Sequence, residues 1–222
     1  MACPLFLPTN PLPGALPVAA PLGDLTGWFD ELYREADSGK TVVPWTDLIP
    51  HPMLVEYLEQ HAHHGRALVV GCGYGDDAEE LSRQGLQVTA FDVSAAAVAK
   101  CQARFPRSAV RYEVADLLHP PADWARAFHL VVEISTLQVL PPEPRARALS
   151  NTAELVAPGG TLLVVARARD ENAPTGEMPW PLTRAEMDRF RSTGLTEMSF
   201  EDLNDTEDPP VRRYRAVYFR PE

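Results

Sequence analysis

ALVVGCGYGDDAEEL, Ala67 to Leu81, carries an apolar strand into three alternating glycines and then into a cluster of acids. Gly71, Gly73 and Gly75 let the backbone turn tightly and approach a ligand with no Cβ in the way. A glycine turn between a strand and a helix commonly holds a nucleotide phosphate, because the helix start offers free N–H groups and a positive dipole. Here Asp76 and Asp77 follow the turn at once, reinforced by Glu79 and Glu80. These carboxylates would repel a pyrophosphate. They would favour a phosphate-free, cationic ligand, with Asp76 nearest to it. The spacing also departs from GxGxxG, since Asp76 stands where the third Gly belongs. Carboxylates at a helix start also suit the dipole, and that reading stays open for Asp77, Glu79 and Glu80.

Outward from this turn the elements alternate. Strands are expected at Ala67–Val70, Gln87–Asp92, Val110–Val114, Phe128–Ile134 and Thr161–Arg167. Helices are expected at Asp77–Gln84, Ala95–Arg104 (capped by Ser94), Glu143–Val156 and Arg184–Ser192 (capped by Thr183), with APGG turning the chain into the fifth strand. Leu195–Asp202 and Val211–Arg220 read as a closing strand pair, and two helices, Leu25–Ala36 and Met53–His61, precede the first strand. Continuously apolar strands alternating with helices mean a mainly parallel, doubly wound α/β sheet, Rossmann-like, covered on both faces. Ligands bind such sheets at the carboxyl ends of the strands.

The chain has 222 residues, 45% apolar and 23% charged, with a formal net charge of -11. That predicts one main domain: a Pro-rich arm over 1–24, then 25–222, divided into a helical lid at 25–64 and the core at 66–222. No basic stripe is present, which argues against nucleic acid as partner. No apolar run approaches the roughly 20 residues of a membrane span, and the Pro-broken N-terminus lacks a signal-like basic start. Cys3, Cys72 and Cys101 form no CxxC, so a reducing, cytoplasmic setting is expected, with no metal. The tract His61-Ala62-His63-His64 sits at a helix end with no acid or Cys to complete a metal site. A monomer or homodimer is the expected state.

Asp92 ends the second strand, at the usual offset for a carboxylate that binds ribose hydroxyls. The turn and Asp92 alone suit NAD and S-adenosylmethionine equally. The acids tip the balance toward the latter, which carries an ammonium group and a sulfonium and no phosphate.

LVVGCGYGDDAEELSRQGLQVTAFDVSAAAVAKCQARF, followed by YEVADLLHPP and LVAPGGTLLVVA, resembles the class I S-adenosylmethionine-dependent methyltransferases. The resemblance runs from about Arg66 to Ala166 and implies a seven-stranded sheet whose last strand is antiparallel. It further implies that Gly71, Cys72, Gly73, Gly75 and Asp76 flank the methionyl part, and that Asp92 and Val93 meet the ribose. Asp116 and Leu117 would meet the adenine, and S-adenosylhomocysteine would be the product. The flanks WFDELYREADSGKTVVPWTDLIPHPMLVEYL and GEMPWPLTRAEMDRF resemble the thiopurine and halide/thiol methyltransferases, with Trp28, Pro44, Trp45 and Trp180 at matching positions. VVEISTLQVLPPEPRARA departs from that group, lacking its aromatic and Cys-bearing pattern.

Methyl transfer needs a nucleophile in line with the S–CH3 bond and water excluded. Trp45 and Trp180 could supply aromatic walls. A thiolate or halide needs no base. An oxygen or nitrogen acceptor would use one, and Glu133, between the apolar residues of LVVEIS, is the candidate, also at the cofactor edge. Asp47, His51 and Gln138 are further candidate substrate contacts, and Thr136 a weaker one. Readings from other classes are a nicotinamide-dependent oxidoreductase and a catalytically silent cofactor-binding module.

Overall fold

A computed structural model describes residues 27–43, 45–176 and 178–222. The Pro-rich arm, Leu25 and Pro44 lie outside the described residues. Seven strands form one sheet: β1 (Arg66–Val70), β2 (Gln87–Asp92), β3 (Arg111–Val114), β4 (Phe128–Ile134), β5 (Val156–Arg167), β6 (Thr196–Asn204) and β7 (Arg212–Phe219). Their order is β3-β2-β1-β4-β5-β7-β6. β1 pairs in parallel with β2 and β4, whereas β7 is antiparallel to both its neighbours. The winding reverses between β1 and β4, which opens a crevice at their carboxyl ends.

Alternation along each strand builds two apolar layers. Leu68, Val70, Phe91, Val131 and Val164 face one side, under α5 (Pro142–Glu154) and α6 (Arg184–Asp188). Ala67, Val69, Ala90, Val132 and Val165 face the other, under α2 (Pro52–Gln60), α3 (Asp76–Arg83) and α4 (Ala95–Arg104). The first helix, α1 (Gly27–Asp37), belongs to neither layer. Its Tyr33 packs with Val43 and Ala97, close to Trp45 and Tyr74. Among the described residues no helix is long and apolar enough to cross a membrane.

Several expected caps are present. Ser94 accepts from Ala97 N–H at 3.1 Å, and Thr183 with Glu186 forms a reciprocal capping box on α6. Two boundaries differ from the sequence reading. The APGG segment is no turn outside the sheet; β5 already begins at Val156, and its register to β4 shifts between Phe128 and Leu130. A Cβ on Gly160 would lie 2.9 Å from the Phe128 carbonyl, so glycine is what lets the bulged backbone come so close to β4. The last helix also stops at Asp188 and tightens into a 3-10 turn over Arg189–Thr193, closed by Gly194 at φ 85°.

Candidate active site

The glycine turn follows β1 with Gly71, Gly73 and Gly75 all at positive φ. At Gly71 (φ 61°) a Cβ would run into the Thr136 side chain, so the turn and the end of β4 approach closely only because residue 71 is glycine. Asp92 fastens the turn from β2: it accepts from Gly73 N–H at 3.0 Å and from Ser94 N–H at 2.9 Å. Burial pushes its carboxyl up to about 6, against these N–H groups, which favour the charged form.

The acids after the turn take protein partners rather than an open face. Asp76 holds Arg104 of α4 in a two-pronged ion pair, at 2.7 and 2.8 Å, and does not line the crevice. Asp77 accepts from His51 N–H at 2.7 Å, and burial pushes its carboxyl up to about 6. Glu79 takes the hydroxyls of Ser108 and Tyr112, and Glu80 takes Arg83 and Gln84. Repulsion of a pyrophosphate survives in weaker form, because one carboxylate is matched by Arg104 and the first turn of α3 is already supplied with acids.

Above the sheet lies a crevice of about 750 Å³, counted to its open mouth. One end is formed by Gly71, Phe91, Asp92, Val93, Ala115, Asp116, Leu117 and Leu118. Asp116 is held by Leu118 N–H at 2.8 Å and by His119 Nδ1, also at 2.8 Å. Ile134, Ser135, Thr136, Gln138, Val139, Leu140 and Pro179 line the crevice on the β4 side, and Phe29, Tyr33 and Trp45 line it from α1 and the loop that follows, Tyr33 beside Gly73 and Asp92.

α1 roofs this crevice through polar fasteners. Asp30 accepts from Ser94 Oγ at 2.8 Å and Ala96 N–H at 2.9 Å, an arrangement that holds its carboxyl below the ordinary range, chiefly through the Ala96 N–H. Trp45 Nε1 donates to the Tyr33 hydroxyl at 3.2 Å, and a Cβ on Gly73 would come within 3.2 Å of that hydroxyl. Burial, with Asp92 nearby, raises the Tyr33 phenol well above its usual range, so it stays an O–H donor. Sequence reading did not assign Tyr33 or Phe29 a site role; their i, i+4 spacing on α1 was the available signal.

The Leu137–Val139 3-10 turn walls the β4 side. Gln138 is 2% exposed; its Oε1 accepts from Arg167 N–H at 2.8 Å and its carbonyl from Trp180 N–H at 2.7 Å. Glu133 is fully buried and does not line the crevice: Oε1 accepts from Leu137 N–H at 2.8 Å, while Oε2 is buried without a partner. Burial pushes this carboxyl up to about 7, opposed by the Leu137 and Thr136 N–H groups and by Arg145.

Of the expected site residues, Gly71, Asp92, Val93, Asp116, Leu117, Trp45 and Gln138 line one crevice. Cys72, Gly73 and Gly75 lie in the turn behind it, and Cys72 and Cys101 are free, buried thiols. The rest are placed elsewhere. Trp28 stacks on Phe29 at 3.8 Å, outside the lining; Trp180 is likewise outside, beside the lining Pro179. Asp47 is exposed, and His51 caps α2, its Nδ1 accepting from Met53 N–H at 3.2 Å. Burial lowers the His51 imidazole to about 4. Short polar residues beside a helix start are read as caps or as contacts with equal ease, and only packing separates the two. Among the described residues no group of three His, Cys, Asp or Glu side chains could hold a metal ion.

Residues 67–160 match the methyltransferase domain family. An uncharacterized methyltransferase of Mycobacterium tuberculosis is 39% identical over 98 residues, 44% of this chain and 48% of the relative. The chain thus spans about half the length of that relative. A probable thiol methyltransferase of Arabidopsis thaliana is 26% identical over 164 residues, 72% of this chain and 70% of the relative. Among solved structures, the 1,6-didemethyltoxoflavin-N1-methyltransferase of Burkholderia thailandensis, with 1,6-didemethyltoxoflavin and S-adenosylhomocysteine bound, superimposes with a TM-score of 0.70 at 18% identity. That superposition covers 95% of this chain and 94% of the other, and the two share the Rossmann-like fold.

Proposed function

We propose that the chain transfers a methyl group from S-adenosylmethionine to a small, soft nucleophile such as a thiol. The observation that carries this reading is the lining of one crevice: two carboxylates, Asp92 and Asp116, at the ends of β2 and β3, an aliphatic wall on the β4 side, and aromatic side chains from α1 and the loop after it. A ribose diol suits Asp92, an adenine amino group suits Asp116, and Leu117 offers a face for the ring. Aromatic and aliphatic sides with a few placed polar groups are what a small, partly cationic ligand requires. The matching domain family and the S-adenosylhomocysteine bound to a protein of this fold support the cofactor.

When bound, S-adenosylmethionine supplies an electrophilic methyl group on a sulfonium. The chain's own part is to orient and to exclude water. Tyr33 and Trp45 roof the crevice, and Ile134, Val139 and Leu140 supply an apolar wall at the acceptor end. Gln138 has its Oε1 committed to Arg167 N–H, so its amide offers a donor rather than a base. With Asp92 and Asp116 given to the cofactor, Tyr33 is the one titratable side chain left in the lining among the described residues, which suits an acceptor that is already nucleophilic. The thiol methyltransferase relative points the same way.

A second reading, an oxygen or nitrogen acceptor with Glu133 as base, rests on the carboxyl pushed up to about 7. Calorimetry with S-adenosylmethionine and with NAD tests the cofactor; NAD binding alone would sink the proposal. Release of S-adenosylhomocysteine over a panel of thiols, halides, phenols and amines tests the acceptor. Turnover restricted to phenols or amines overturns the thiol class, and no turnover at all leaves a binding module.

A further inference from the structure

We propose that Glu133 is a positioning residue: its side chain holds the Leu137–Val139 turn that walls the acceptor end of the crevice. This rests on the reading of the crevice given above. Glu133 lies two residues after Val131 on β4, on the sheet face covered by α5 and α6, and is 0% exposed. Its Oε1 reaches four residues ahead to Leu137 N–H at 2.8 Å. The carboxylate thereby supplies the N-terminal cap that the turn's own Thr136 side chain does not provide, since Thr136 Oγ1 donates to Val70 O at 3.1 Å.

A second buried charge, Arg145 of α5, braces the far side of the same turn. Arg145 is 3% exposed; its Nε donates to Leu140 O at 3.1 Å and its Nη1 to Glu186 Oε1 at 2.6 Å. Its Nη2 is buried without a partner, as is Glu133 Oε2, and the two side chains form no ion pair. Glu186 in turn takes Thr183 N–H at 2.9 Å and stands 3.6 Å from Arg169. Gln138 ties the same turn to Arg167 and Trp180. The end of β4, the start of α5 and the loop leading to α6 therefore converge on the turn that presents Gln138, Val139 and Leu140 to the crevice. A general base must come within hydrogen-bond reach of the proton it removes. Glu133 spends one oxygen on the turn, and its side chain is not among those lining the crevice.

Two conservative variants separate reach from charge. Glu133→Gln keeps the reach and the acceptor oxygen but loses the charge; Glu133→Asp keeps the charge but is one methylene short. Amide hydrogen exchange is read at Leu137, Gln138 and Trp180, alongside cofactor affinity and kinetics with the best acceptor of the panel. With Gln, exchange and kcat/KM stay within about threefold of wild type. With Asp, exchange quickens about tenfold and acceptor KM rises about tenfold, while kcat and cofactor affinity stay within about threefold. Normal exchange with kcat reduced about 100-fold or more in Glu133→Gln makes Glu133 a base and overturns the proposal. Unchanged exchange in Glu133→Asp, or quickened exchange in Glu133→Gln, also overturns it. If the wild type turns over no acceptor, the proposed function fails, and the exchange data still decide the positioning role.

Discussion

At one end of the crevice, Gly71, Asp92 and Asp116 stand at the carboxyl ends of β1, β2 and β3, all between residues 71 and 116. On the β4 side, Thr136, Gln138 and Pro179 arrive from the end of β4 and the loop before α6, and Tyr33 and Trp45 reach over the crevice from α1 and the loop after it. Neighbouring parallel strands deliver the first set at a fixed spacing, so its geometry is nearly a property of the sheet. Hydrogen bonds across long sequence separations assemble the second, among them Trp45 to Tyr33, Arg167 to Gln138 and Trp180 to Gln138. Catalytic loops carried on a rigid scaffold commonly divide in this way, with variation gathered on the loops. In the proposed reading, cofactor recognition belongs to the sheet and acceptor choice to the segments laid over it.

The contrast can be broken most severely at Asp92. Asp92→Ala leaves Gly73 N–H and Ser94 N–H without their acceptor and removes the expected ribose contact; calorimetry should show S-adenosylmethionine affinity about 100-fold lower. Affinity within threefold of wild type would mean that Asp92 only braces the turn.

Asp77 gives a pH-dependent effect. Its folded-state carboxyl, at about 6, lies above the ordinary 3.8, so the stability linked to its neutral form is complete below pH 3.8 and is lost as pH rises through 6. Asn mimics the neutral form while still accepting from His51 N–H. Asp77→Asn should match wild type near pH 4 and exceed it by about 2 kcal/mol at pH 8, read by urea unfolding. A gap that does not widen with pH would show that Asp77 is hydrated.

Tyr33→Phe tests the roof. It leaves the Trp45 indole N–H unpaired and removes the hydroxyl against Gly73. Cofactor affinity should fall by about tenfold with little change in the melting temperature. The smallest effect on binding is expected at Asp76. Asp76→Asn weakens the pair with Arg104 and should cost roughly 1 kcal/mol of stability while leaving cofactor affinity within about threefold. A large loss of affinity would support the sequence expectation that Asp76 faces the ligand.

Legibility followed the range of the interactions. The strand ends, the glycine turn and the Ser94 and Thr183 caps depend on residues a few positions apart, and all were readable in the chain. The acids after the turn were readable as charges but not as partners: Arg104 lies 28 residues beyond Asp76, and Ser108 lies 29 beyond Glu79. The same holds for His51, a substrate contact by sequence and a helix cap held by Asp77 in the fold. Glu133 was singled out because a carboxylate among Val and Ile residues has no solvated face. Which way it pointed depended on the packing of α5 against the sheet.

By itself the sequence determined the mainly parallel sheet and the glycine turn between its first strand and the following helix, because periodicity and backbone freedom are local properties. The tertiary structure alone decided which carboxylates turn into the protein and which line the crevice. Desolvation and long-range pairing set that division, and neither is encoded at any one position of GCGYGDD.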